Sequence, residues 1–432
     1  MPRVIGCSRD PVPPAKIIPR MAQYSINRAF TANQPTQCLT CPVTLQPRES
    51  GAVGLGPKVE LQAGPHRERS PGLSTATLKP NAIPNPAVGK RLDPRGNSLN
   101  LIRLVLAFSV LFAHSWHIVG AGNGPGFRGE NLGGWAVAGF FGISGYLITA
   151  SRFSNRIGPY LVHRVARIFP AFIVCLAVMA FVFAPVAYLI QHGSLQGFLT
   201  TATTPFNSIF ANLSLRIVSY DIAGTPAGVP YPGAWNGSLW TLYFEFLCYL
   251  LVALMGFFAI VKRTPWPVIS VFALSVVLWA NIGLLKPYMQ SNLDFELAAR
   301  LVPYFLGGAV VQVLSSRIGI HRIAGPIAIL IAALSIYFVE GFGGQLAAPF
   351  IAYGLLWIST WLPQPRLVAR HDISYGAYIY AFPVQQLLSV FGAHHWGVWT
   401  FTLAATLCTI PFAAASWLLV ERPVMRRAKK SV

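Results

Sequence analysis

Charge is what this sequence has least of. Only 11% of its 432 residues are Asp, Glu, Lys or Arg, against roughly a quarter in an ordinary soluble domain. A soluble chain of this length would have too few charges to cover its wet faces. An ordinary cytosolic enzyme, a disordered chain and a coiled coil are therefore excluded. Acidic residues are scarcest, at 13 against 33 basic ones. Cysteine is sparse too. Cys175, Cys248 and Cys408 sit inside apolar runs and read as small buried hydrophobes. Cys38 and Cys41 form a lone C-x-x-C in a Pro-rich stretch, without a second pair or His at zinc spacing, so no metal is expected. The opening MPRVIGCSRDPVPP lacks the apolar core of a signal peptide. What is abundant is apolar, at 54% hydrophobic, the composition of a polytopic membrane protein.

Residues 1–96 differ from the rest. They are rich in Pro, Gly, Ser and Arg, with 13 Lys or Arg against 5 Asp or Glu and no run long enough to span a bilayer. Such a segment cannot bury enough apolar surface to offset its ordering entropy, and it reads as a disordered extension. An organelle-targeting tail and a start codon assigned too far upstream are both open. Its basic residues are interleaved with Pro rather than aromatics, so no nucleic acid partner is expected.

From Leu99 the chain is a series of apolar runs, at about 99–120, 134–151, 171–190, 239–260, 266–285, 298–315, 323–339, 344–362, 375–391 and 397–420. Each is long enough to cross about 30 Å of hydrocarbon as a helix. None alternates as a membrane barrel strand does. The expectation is an all-α, polytopic integral membrane domain over residues 97–432, with about ten transmembrane helices. Alternate connections carry 18 Lys or Arg, while the opposite set carries only Arg128, Arg216 and Lys286. That asymmetry places both the N and C termini in the cytoplasm.

Polar groups within apolar runs mark function by default. Arg103 and His114 are eleven residues apart, three helical turns plus 20°, so they share one face about 16 Å apart. Glu245, in GSLWTLYFEFLCYLL, counts to the same depth as His114, roughly 9 Å from the outer side. The two are expected to be able to pair, the carboxylate fixing the imidazole tautomer. Arg164 and Arg167, at i and i+3, lie on a cytoplasmic segment leading into the third run. With Arg103 they make three guanidiniums at one level, suited to a phosphate-rich ligand. A snorkelling arginine, a core histidine and a structural ion pair are the bland alternatives. From residues alone, transmembrane group transfer competes with a transporter or flippase for an anionic solute or glycolipid. No internal repeat supports the latter.

Several segments carry a resemblance. The first run has Arg-x10-His as Arg103 and His114. The second reads GFFGISGYLIT, with Phe140, Phe141, Ser144, Gly145 and Tyr146. Then come R-x-x-R-I-x-P as Arg164, Arg167, Ile168 and Pro170, and W-T-L-x-x-E as Trp240, Thr241, Leu242 and Glu245. ISYGAYIYAFPV follows, and S-W-L-L-V-E-R-P closes the chain at Ser416 to Pro423. In this order, from about Leu99 to Arg427, they resemble the membrane-bound acyltransferase 3 family, which O-acylates sugars. The resemblance implies an acyltransferase of the O-acetyltransferase type in the bacterial inner membrane. His114 would be the acyl-transfer residue, as base or transient acyl carrier. Arg103, Arg164 and Arg167 would bind the donor, acyl-CoA and by expectation acetyl-CoA, with no bound cofactor. Glu245 would support the centre, with Ser144, Trp240 and Thr241 around it. The acceptor would be a hydroxyl of a sugar, exopolysaccharide, lipopolysaccharide or glycolipid. Trp235 and Tyr231, in the long connection 191–238, are candidates to stack on it, or are interfacial belt aromatics. The sequence departs from the family at Leu99-Asn100, where Leu-Asp is common. It departs again at Tyr378-Ile379-Tyr380-Ala381, where a frequent His is missing. No hydrolase-like domain is seen after residue 430.

Overall fold

The computed structural model describes residues 92–93 and 96–431. The readings made of residues 1–91, including the disordered extension and the Cys38–Cys41 pair, lie outside the described residues, as does Arg95. Each of the ten apolar runs lies on a helix. These are α1 (Leu99–Ile118), α2 (Leu132–Ser154), α3 (Ile157–His192), α4 (Trp240–Met255), α5 (Trp266–Ala280), α6 (Leu293–Ile318), α7 (Ala324–Phe338), α8 (Ala348–Trp361), α9 (Ser374–Val390) and α10 (Val398–Lys430). Among the described residues the only strands are β1 (Gly126–Phe127) and β2 (Glu130–Asn131), a two-residue antiparallel ladder.

Five of the helices, α1, α2, α3, α6 and α10, are long and apolar enough to cross a membrane. That is fewer than the ten expected from the runs. The helices α4, α5, α7, α8 and α9 have 14 to 17 residues, short of the roughly 20 that 30 Å requires. α3 shows the opposite difference. Its 36 residues begin well before the apolar run, because YLVHRVARIF continues the helix at its polar end. Arg164 and Arg167 therefore stand on the helix itself and not on a segment leading into it. Cys175 and Cys248 are buried as expected, but Cys408 is exposed on α10.

α2 and α6 pack with almost no space between their backbones. A side chain at Gly145 would run into the Phe305 carbonyl, and one at Gly308 into the Gly142 carbonyl. Small residues are what allow helices to approach this closely. Gly145, read above as part of a motif, is thus a packing residue that fixes Ser144 beside it. The main core joins α1, α2, α3, α4, α6 and α9, and the candidate residues Arg103, His114, Ser144, Arg164, Arg167 and Glu245 stand on helices of this group.

Candidate active site

The chain enters α4 from inside the bundle. Thr225, Trp235, Asn236 and Ser238 are all buried, and the Asn236 amide donates to the Ile379 carbonyl at 2.8 Å. Irregular backbone at such depth needs protein partners for its polar groups, and this segment has them. Trp235 is 1% exposed, and its indole nitrogen donates to Thr225 Oγ1 at 3.0 Å. Tyr231 is also buried. Neither is open to stack on a sugar, which corrects that expectation.

The same segment brings Ser238 Oγ to 3.5 Å from His114 Nδ1. The Phe382 ring meets the imidazole edge-on, centroids 5.0 Å apart. His114 lines a cavity of about 290 Å³ at the loop end of the bundle. His117, Trp240, Tyr304 and an Arg300–Glu130 ion pair share its wall. His117 Nε2 lies 3.3 Å from the Asn131 amide.

A second cavity, of about 50 Å³, lies toward the basic end. Glu245 lines it, accepting from Ser144 Oγ at 2.8 Å and from the Tyr249 hydroxyl at 2.7 Å. Arg103 and Arg167 line it too. Asp372 accepts from Arg103 Nη1 at 2.8 Å and from Arg167 Nη2 at 2.9 Å. Arg167 Nη1 also reaches Glu421 at 3.0 Å, and Ser416 Oγ donates to Glu421 at 2.9 Å. A π-helical turn, Ser416–Glu421, carries that carboxylate into the bundle. Burial alone would raise the Asp372 carboxyl, but Arg103 and Arg167, helped by Ser374, outweigh it and hold it well below the usual carboxylate range. The two cavities share Val137, Thr241 and Tyr378. Thr241 Oγ1 and the Tyr378 hydroxyl are hydrogen-bonded at 2.6 Å.

The arrangement separates His114 from Glu245. Each lines a different cavity, and their hydrogen bonds go to different partners. Counting depth from the start of the apolar run assumed that α4 begins at a surface. Its buried entry segment places Glu245 nearer the basic end. The three arginines also differ among themselves. Arg103 and Arg167 meet at Asp372, and Arg167 is also paired with Glu421. Among the described residues Arg164 has no carboxylate partner; its guanidinium lies 5.9 Å from the ring centroids of Tyr160 and Tyr249. The cluster is therefore not a set of three free cations. Sequence reasoning missed Asp372, Glu421, Ser238 and the Arg300–Glu130 pair. Two had a visible signal: Asp372 directly precedes Ile373-Ser374-Tyr375, and Glu421 lies in the closing E-R-P. The missing His position, Ala381, is buried against Leu111 and Ala405.

The profile of a family described as an acyltransferase domain matches residues 97–420. An O-acetyl transferase of Shigella phage Sf6 is 29% identical over 343 residues, covering 77% of this chain and 97% of that protein. Nodulation protein 10 of Rhizobium leguminosarum bv. viciae is 29% identical over 358 residues, covering 76% of this chain and 93% of that protein. No solved structure matches the chain.

Proposed function

Because this chain belongs to the acyltransferase 3 family, it is a membrane acyltransferase, and we propose that it carries acetyl groups from cytoplasmic acyl-CoA to a hydroxyl of a sugar or glycolipid. The acetyl group is favoured by the likeness to a relative named O-acetyl transferase. In this reading the bundle is embedded in the bacterial inner membrane, both termini are cytoplasmic, and the basic end faces the donor. The observation that carries the reading is a pair of cavities back to back. One holds His114, the other Arg103 and Arg167, and the two share a wall of Val137, Thr241 and Tyr378.

The acceptor hydroxyl enters the cavity at the loop end. If Nδ1–H of His114 donates to Ser238 Oγ, the Nε2 lone pair is left to act as base. Nε2 takes the hydroxyl proton as the oxygen attacks the thioester carbonyl. The carbon–sulfur bond breaks, and the imidazolium returns its proton to the departing thiolate. Trp240 supplies an apolar face for a sugar ring. Arg103, Arg164 and Arg167 position the donor; Arg103 is held through Nη1 alone, which leaves its other N–H groups for the donor's polar groups. Ser144 and Thr241 keep Glu245 and Tyr378 in place at the boundary. A cavity of about 50 Å³ is far below the roughly 300–1,000 Å³ of an ordinary ligand site. Donor binding therefore requires the side chains around Glu245 to move apart.

His114→Ala tests this reading. At matched abundance in the membrane, acetylation of the exported glycan should fall by about 10²–10⁴-fold, the usual contribution of a positioned proton acceptor. Wild-type acetylation by that variant would remove His114 from the chemistry.

A further inference from the structure

A third cavity lies away from the site just described. It is a crevice of about 910 Å³ between α5, α6, α7 and α8. Phe272, Val310, Ile331 and Leu356 are among its apolar walls. Its lip is open: Ile318 and Ile327 are exposed. Soluble proteins rarely leave so large an apolar hollow open, whereas in a bilayer the natural filling is hydrocarbon.

The polar groups of this crevice are not scattered. Lys262, Arg263 and Arg317 gather at one end, and no Asp or Glu lines any part of it. None of the three cations has a carboxylate within ion-pair distance among the described residues. On α6 the Gln312 side chain also faces the crevice, with its amide oxygen buried and without a hydrogen-bond partner. A long apolar trough ending in uncompensated cations has the polarity of one amphiphile: two hydrocarbon chains and a negatively charged head. Basic pockets between membrane helices take anionic lipid head groups in this way. The chain's own first 96 residues are a poor alternative occupant, since 13 Lys or Arg against 5 Asp or Glu would be repelled by a basic mouth. A second protein copy would have to bring carboxylates to the same three cations.

We propose that this crevice binds one anionic phospholipid, its phosphate held by Lys262, Arg263 and Arg317 and its acyl chains laid along α5, α6, α7 and α8. The site is independent of the acyl-transfer reading and uses none of its residues. It gives the enzyme a preference for acidic membranes.

The test is lipid retention by the full-length protein in neutral detergent, read by native mass spectrometry after exposure to phosphatidylglycerol or phosphatidylcholine. Phosphatidylglycerol should be retained preferentially. Lys262→Gln, Arg263→Gln and Arg317→Gln should each reduce retention about fivefold, and the triple variant about a hundredfold, since each cation near a lipid phosphate is worth on the order of 1 kcal/mol. Ile331→Trp fills the trough without altering charge and should also expel the lipid. Lys429→Gln with Lys430→Gln, on the last turn of α10, should leave retention unchanged. Equal retention of the two lipids, or an unaltered triple variant, overturns the proposal. Displacement by millimolar inorganic phosphate would make this a simple anion site and also overturn it. Conversion of a dimer to a monomer by Ile331→Trp would assign the crevice to a second copy. Greater retention after deletion of residues 1–90 would assign it to the chain itself.

Discussion

Asp372 receives Arg103 at 2.8 Å and Arg167 at 2.9 Å, so one carboxylate ties α1 and α3 to the start of α9. These partners are 269 and 205 residues away in sequence, which is why no local pattern announced them. Arg103 and Arg167 were readable as polar residues beside apolar runs, but whether a cation is free or paired is decided across the fold. Asp372→Asn takes the carboxylate from Arg103 and leaves Arg167 with Glu421 alone. Removing one partner of a buried pair costs on the order of 3–5 kcal/mol, and the expected result is a large drop in unfolding temperature in detergent. The sign of its pH dependence follows from the depressed carboxyl. The stabilisation is complete above the ordinary carboxylate range and disappears only as pH falls through the lower folded-state value. The gap between wild type and Asp372→Asn should therefore be flat from pH 5 to 8. A gap that widens across that window would show that Asp372 is not held ionised by the two arginines.

At the scale of elements, the apolar runs located the ten helices of 14 residues or more among the described residues, though not the shorter Pro205–Asn212 helix, because helix formation here follows from continuous hydrophobicity. Their ends were less legible. α3 extends 36 residues because an amphipathic stretch continues it, and α4 starts inside the bundle because the preceding loop is buried. Both differences moved catalytic candidates: the first put Arg164 and Arg167 on a rigid helix, and the second took Glu245 away from His114. The α2–α6 contact was hidden in the sequence for another reason, since a glycine reads alike in a turn and at a helix crossing. Gly145→Ala tests the crossing. The new methyl group meets backbone rather than a flexible side chain, so the helices must separate. Overpacking of this kind costs about 1–3 kcal/mol or more. The variant should unfold at lower temperature and lose transfer activity as Ser144 shifts from Glu245. Wild-type stability in Gly145→Ala would mean that α2 and α6 tolerate a wider spacing.

For the molecule as a whole, the wall of Val137, Thr241 and Tyr378 matters as much as the cavities on either side of it. A continuous tunnel from one end to the other would let the group pass, but it would also let ions pass. Each elementary charge moving down a potential of 100 mV releases about 2.3 kcal/mol, and an open bore would dissipate that gradient continuously. In the proposed transmembrane reading, the Thr241–Tyr378 hydrogen bond at 2.6 Å closes the wall that the two hollows share. Tyr378→Ala should therefore make vesicles containing the protein leak protons, as followed by the collapse of an imposed pH gradient, where wild-type vesicles hold theirs. Vesicles of Tyr378→Ala that stay as tight as wild type would assign the seal to other side chains. A catalyst that reaches across a charged membrane, as proposed for this protein, would have to work as an airlock, with Tyr378 as its door.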